Sequence, residues 1–124
     1  PLSKAYGLPT TTDEEKAYKA EVMEKCLKDA AEVPMGIMRC ACQALDILKQ
    51  FAEKGSKMMI SDAGCGAVCC RAALEAASLN VFINTKSMKD RQYAEELNAQ
   101  ADAMLAKYSS LAQEIYLQVT NQCR

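Results

Sequence analysis

Few residues in this chain could do chemistry, because it contains no histidine. Histidine-activated nucleophiles, histidine general bases and histidine metal ligands are therefore excluded. What remains is carboxylates, amides, lysines and seven cysteines, at 26, 40, 42, 65, 69, 70 and 123. Three of these cysteines fall in SDAGCGAVCC, residues 61–70, beside two glycines and a Ser–Asp pair. Three uses suit such a stretch: a metal site, a phosphate-binding loop, or a close contact between helices.

Zinc sites are built from CxxC-type spacings or His/Cys pairs. Here Cys65 and Cys69 are four apart, Cys69 and Cys70 are adjacent, and Cys40 and Cys42 face different sides of a helix. No second ligand pair has matching spacing, so no metal is expected. A phosphate loop would need GxxxxGK[ST] after a strand, and the glycines here lie inside a helical pattern instead. The third use fits best. Ala63, Gly64, Gly66, Ala67, Ala72, Ala73, Ala76 and Ala77 are small and let another helix approach closely. Each interior glycine costs about 1 kcal/mol relative to alanine, which close packing would offset.

Three polar residues stand out against this apolar background. Asp62 is either a partner for the positive end of a helix or a site carboxylate, and position alone favours the first. It is still the one candidate catalytic residue. Asn80 and Asn84 are four apart in LNVFINTKS, and an unpaired buried amide costs about 1–3 kcal/mol. They are read as bonding across helices or to a loop, or as orienting a polar heterocycle in a binding site. Lys86 and Arg71 could give a positive field for an anion, though each is more often a solvated charge.

The elements that must position these residues all read as helix, with no stretch of period two. PLSKAYGLPTT is the end of one element followed by a turn, with Gly7 free to take positive φ and Pro9 barring helix at Leu8. Thr12 and Glu15 form a capping box for a helix to about Val33, and Pro34 kinks it or starts the next. A stripe from Ile37 to Ala52 follows, closed by Gly55, and SKMMI connects. Ser61 is placed as the cap of a third helix, apolar nearly all round, running to about Ile83. Ser87 with Asp90 opens the last helix, whose residues Leu97, Ala101, Met104, Tyr108, Leu111 and Ile115 form a seam on up to 33 residues. A helix so long is expected to pack on a partner chain or on a missing segment.

The bulk properties agree with one domain. The chain has 124 residues, 50% apolar and 25% charged, with a net charge of −1. Interspersed charges give no footprint for nucleic acid or an anionic membrane. No apolar run approaches the ~18 residues of a spanning helix. An odd cysteine count with no export signal argues for reduced thiols, so a soluble, cytoplasmic protein is expected. The first residue is Pro1 rather than Met, as in a processed product or a fragment.

Taken together, LPTTTDEEKAYKAEV, AAEVP and SDAGCGAVCCRAALEAASLNVFINTKSMKD resemble one family. They are similar to the cyclodeaminase domain of formiminotransferase-cyclodeaminase and to its stand-alone relatives, the methenyltetrahydrofolate cyclohydrolases. The resemblance covers essentially the whole chain. It implies an all-α, multi-helix antiparallel bundle, completed by a partner chain or a missing N-terminal segment, and working as a homo-oligomer. It implies a tetrahydrofolate derivative as substrate, with no further cofactor and no metal. The implied chemistry is hydrolysis of 5,10-methenyltetrahydrofolate to 10-formyltetrahydrofolate, or loss of ammonia from 5-formiminotetrahydrofolate. Asp62, Asn80 and Asn84 are the positions carried over as site-forming. The family's Gly-rich turn and aspartate-bearing helix have no match here, so residues 1–124 are expected to be the C-terminal portion of one such domain, with the proton acceptor outside them. A non-catalytic helical interaction module and a thiol-based redox or metal protein are the rival readings.

Overall fold

A computed structural model describes residues 2–56 and 59–124. Pro1, and Lys57 and Met58 of the SKMMI connector, lie outside the described residues. The described residues are helical and contain no strand: α1 (Leu2–Tyr6), α2 (Asp13–Lys54), α3 (Ile60–Lys86) and α4 (Arg91–Cys123). α2, α3 and α4 run antiparallel in succession and all pack on one another, α3 against both neighbours, and α1 packs on α2. This is the expected all-α antiparallel bundle.

α2 begins as its sequence dictates. Thr12 Oγ1 accepts the Glu15 N–H at 3.1 Å, and three acidic residues occupy the first turn, where the helix dipole favours them. The Glu15 carboxylate reaches back to Thr11, accepting from its N–H at 3.3 Å and its hydroxyl at 2.8 Å. The reciprocal bond of the capping box is thus made one residue earlier than expected. Gly7 uses no positive φ, since none occurs among the described residues.

Pro34 neither ends nor restarts a helix: α2 runs through it for 42 residues, about 63 Å at 1.5 Å per residue. Pro34 is buried, and Ala31, Met35 and Met38 around it are fully buried. Burying these side chains offsets the ~3 kcal/mol that an interior proline costs. Gly55 closes α2, donating its N–H to the Phe51 carbonyl at 2.7 Å.

Two expected caps lie elsewhere. α3 starts at Ile60 with Met59 as the preceding residue, so Ser61 is inside the first turn and caps nothing. Ile60 is only 6% exposed, and its burial fixes the start of the helix. α3 also continues past Ile83 to Lys86. Asp90, not Ser87, caps α4, accepting the Tyr93 N–H at 3.1 Å. Met88, buried between the two, holds the connection down.

The core has two parts. One joins Leu27, Met35 and Met38 of α2 to Leu74 and Val81 of α3 and Leu97 and Ala101 of α4. The other joins Leu45 and Ala52 to Ile60, Ala67, Leu111, Ile115 and Val119. Within the chain, the α4 seam packs against α2 and α3. Gly64 and Gly66 mark the closest approaches. A Cβ on Gly64 would stand 2.8 Å from Val119 Cγ1 of α4, and one on Gly66 would stand 3.1 Å from a Leu48 methyl of α2. SDAGCGAVCC is, at these two positions, the helix-packing surface its small residues indicate. Among the described residues α3 is, contrary to the expectation from its sequence, long and apolar enough to cross a membrane, because alanine and cysteine add to the hydropathy of its valine, leucine, isoleucine and phenylalanine and only four charges interrupt its 27 residues.

Candidate functional site

Asp62 stands in the first turn of α3, on the rim of a hollow of about 420 Å³. Leu48, Phe51 and Gly55 at the end of α2 wall it, together with Ser56, Met59 and Ala63. Asp62 is its one ionisable side chain among the described residues. Phe51 and Met59 are more than half exposed, so the apolar wall is open. A carboxylate at a helix N-terminus beside an apolar wall can accept a proton or hold the polar edge of a flat ring lying on that wall.

Asn80 and Asn84 lie on the same helix but far away, about 27 and 33 Å from Asp62 at 1.5 Å per residue. Neither bonds across helices, as a buried amide would have to. Asn80 Nδ2 donates to the Ala76 carbonyl at 3.1 Å, and Asn84 Nδ2 to the Asn80 carbonyl at 2.7 Å. The reason is position: Asn80 is exposed and Asn84 only half-buried, so no partner element faces them. Within one chain, then, the three sequence candidates do not meet. Arg71 is not a free cation either, donating to Glu75 at 3.3 Å and to Gln113 of α4 at 2.9 Å.

Sequence reasoning missed a cluster at the α3–α4 turn. Glu24 of α2 accepts the backbone N–H groups of Lys89 and Asp90 at 2.8 and 3.1 Å. Lys28 donates to Asp90 at 2.9 Å and lies 4.7 Å from the centre of the Tyr93 ring. The hydrogen bond from Lys28, followed by that from the Tyr93 N–H, holds the Asp90 carboxyl below its usual range, and the hydrogen bond to Asp90 raises Lys28. Nearby, Lys16, Lys19 and Lys89 line a hollow of about 220 Å³. These contacts join residues more than 60 apart, and no local pattern in the sequence pairs them.

The cysteines divide by burial. Cys42 is buried and Cys70 half-buried, and burial pushes both thiols up, away from thiolate chemistry. Cys65, Cys69 and Cys123 are exposed on an apolar groove of about 520 Å³ between α3 and α4. Among the described residues no group of three or more Cys, Asp or Glu is placed to hold a metal ion.

Comparison with known proteins gives this geometry its setting. The family model described as formiminotransferase-cyclodeaminase matches residues 1–103. A methenyltetrahydrofolate cyclohydrolase of Methylorubrum extorquens is 41% identical over 112 residues, covering 90% of this chain and 54% of that protein. A formimidoyltransferase-cyclodeaminase of Gallus gallus is 31% identical over 102 residues, covering 82% of this chain and 19% of that protein. The crystal structure of formiminotetrahydrofolate cyclodeaminase from Thermotoga maritima superposes with a TM-score of 0.67 at 26% identity, over 98% of this chain and 54% of that one. The chain thus spans about half the length, or less, of the relatives it matches. The motifs, the helical architecture and these matches agree: the chain belongs to the formiminotransferase-cyclodeaminase family.

Proposed function

We propose that this chain serves folate one-carbon metabolism by hydrolysing 5,10-methenyltetrahydrofolate to 10-formyltetrahydrofolate. The observation that carries the reading is the 41% identity to a methenyltetrahydrofolate cyclohydrolase over 90% of the chain. Water adds to the methenyl carbon, the bond from that carbon to N5 breaks, and one proton is released. Asp62 is the candidate within these residues to take that proton, while the resemblance places the family's acceptor outside them. Asn80 and Asn84, about 27 Å or more from Asp62 along α3, are proposed to orient the polar edge of a folate. They would share one with Asp62 only across two copies of the chain. The tetrahydrofolate derivative is substrate, and no metal or further cofactor is invoked. Ammonia release from 5-formiminotetrahydrofolate is the second reaction, supported by the cyclodeaminase relatives. A homo-oligomer in the cytoplasm, without nucleic acid or membrane, completes the reading.

A non-catalytic interaction module is the rival, favoured by the exposure of Val68, Leu79 and Ile83 on α3. Supplying both folates separately tests the choice. Disappearance of methenyltetrahydrofolate absorbance above the buffer rate, with formyl product and no ammonia, is the expected result. Ammonia from the formimino substrate would move the assignment to the deaminase reaction. Folate binding without either product would favour the interaction module.

A further inference from the structure

Three lysines gather where the start of α2 meets the α3–α4 turn. Lys16 and Lys19 come from the first turns of α2 and Lys89 from the turn, and all three line the hollow of about 220 Å³. Thr10 and Ser87 add two hydroxyls to its wall. The whole chain has a net charge of −1, so this concentration of positive charge is local. The hollow lies at the far end of α3 from Asp62.

The carboxylates that could neutralise the lysines are engaged elsewhere. Glu24, the one acidic residue lining the hollow among the described residues, accepts the backbone N–H groups of Lys89 and Asp90 at 2.8 and 3.1 Å. Glu15 accepts from Thr11, and Asp90 from Lys28. Lys19 Nζ donates to the Tyr6 carbonyl at 2.9 Å, which positions its ammonium group without neutralising it. Among the described residues Lys16 and Lys89 are in no ion pair. Like charges held together repel, and an anion between them would turn that repulsion into attraction.

The chemistry of the wall selects the kind of anion. Lysine ammonium groups bind phosphate as point charges, and a compact ion with several acceptor oxygens can meet more than one of them at once. A single carboxylate offers two oxygens and one charge, too little for three ammonium groups and two hydroxyls. Glu24 and Lys28 already hold the turn against α2, so Ser87 and Lys89 need little ordering on binding. We propose that this hollow is a binding site for a phosphate-type oxyanion, held by Lys16, Lys19 and Lys89 with the hydroxyls of Thr10 and Ser87. The bound ion ties together the segment before α2, α2 itself and the α3–α4 turn.

Inorganic phosphate is the first probe, compared with chloride at equal ionic strength so that general screening cancels. Phosphate at tenfold over its Kd should raise the thermal midpoint by about 3–6 °C. In nitrogen-15 NMR the amide signals of Lys16, Ser87 and Lys89 should shift and saturate together. Lys16→Gln and Lys89→Gln change exposed side chains, and each should weaken binding about tenfold or more, since a hydrogen bond to a charged group is lost. Lys49→Gln makes the same change of charge on an exposed residue away from the hollow and should leave binding unaltered. Circular dichroism checks that each variant keeps its helices, and Ser87→Ala serves in place of any that does not. Glycerol 3-phosphate presents the same group on a soluble carrier, and vesicles of phosphatidic acid present it in a lipid headgroup. Binding through Lys16 and Lys89 in any of these arms supports the site and names the source of the ion. No stabilisation beyond that of chloride, shifts centred away from the turn, equal binding of succinate, or an equal loss in Lys49→Gln would each overturn it. No readout uses turnover, and Asp62, Asn80 and Asn84 take no part, so the proposal stands or falls apart from the folate reading.

Discussion

Asp62 combines a charged group with an apolar wall, and its exposure allows the two roles weighed for it to be separated. Replacement by Asn keeps the shape and removes the charge. If the carboxylate takes the proton, Asp62→Asn should lower turnover by roughly 10²–10⁴-fold, the usual worth of a positioned base. Thermal melting should move little, because surface substitutions away from buried networks change stability by about 0.5 kcal/mol or less. A large loss of stability with unchanged turnover would make Asp62 a dipole partner only. The thiols give a second residue-scale test. Cys42 and Cys70 should react slowly with iodoacetamide at neutral pH, and Cys65 and Cys69 faster, as read by mass spectrometry of the alkylated peptides. The position of Asp62 was legible, because SDAG opens an apolar helix. Its hollow was not, since Leu48 and Phe51 come from the preceding helix and no local pattern pairs them with it.

At the scale of elements, Gly64 and Gly66 have the same local chemistry and different neighbours. Gly64→Ala drives a Cβ against Val119, a β-branched side chain with little rotamer freedom. It should cost about 1–3 kcal/mol of overpacking strain, more than the ~1 kcal/mol of helix propensity it gains. Gly66→Ala meets only the flexible end of Leu48 and should be near neutral. Equal denaturation midpoints for the two variants would remove Gly64 as the site of closest approach. Helix type was readable from periodicity, and so was the small-residue contact. Pro34 was not: whether a helix survives a proline depends on burial around it, which comes from α3 and α4. Ser61 and Ser87 match the cap pattern as well as the residues actually used. Burial of Ile60 and Met88, and the Glu24 and Lys28 contacts to the turn, decide against them.

The whole molecule should show a broad pH plateau. The lowered Asp90 contributes stability that is present at neutral pH and lost as acid protonates it. The raised Lys28 contributes stability present below the ordinary lysine range and lost only as alkali deprotonates it. No histidine titrates between these limits. Melting temperature should therefore vary little between about pH 5 and 8 and fall toward acid, and Asp90→Asn should lower the plateau and reduce the acid fall. A steep change near neutrality would point to a titrating group that this pattern lacks. At this scale the family and fold were legible in the order of the motifs, and the exposure of Asn80 was not, because helical register places residues on a face without saying what covers it. The most direct measurement is the decay of methenyltetrahydrofolate absorbance with the 124-residue chain against buffer, repeated with Asp62→Asn. Acceleration by the wild type that is lost in the variant is expected. A wild-type rate equal to that of buffer would contradict the placement of the proton acceptor within these residues.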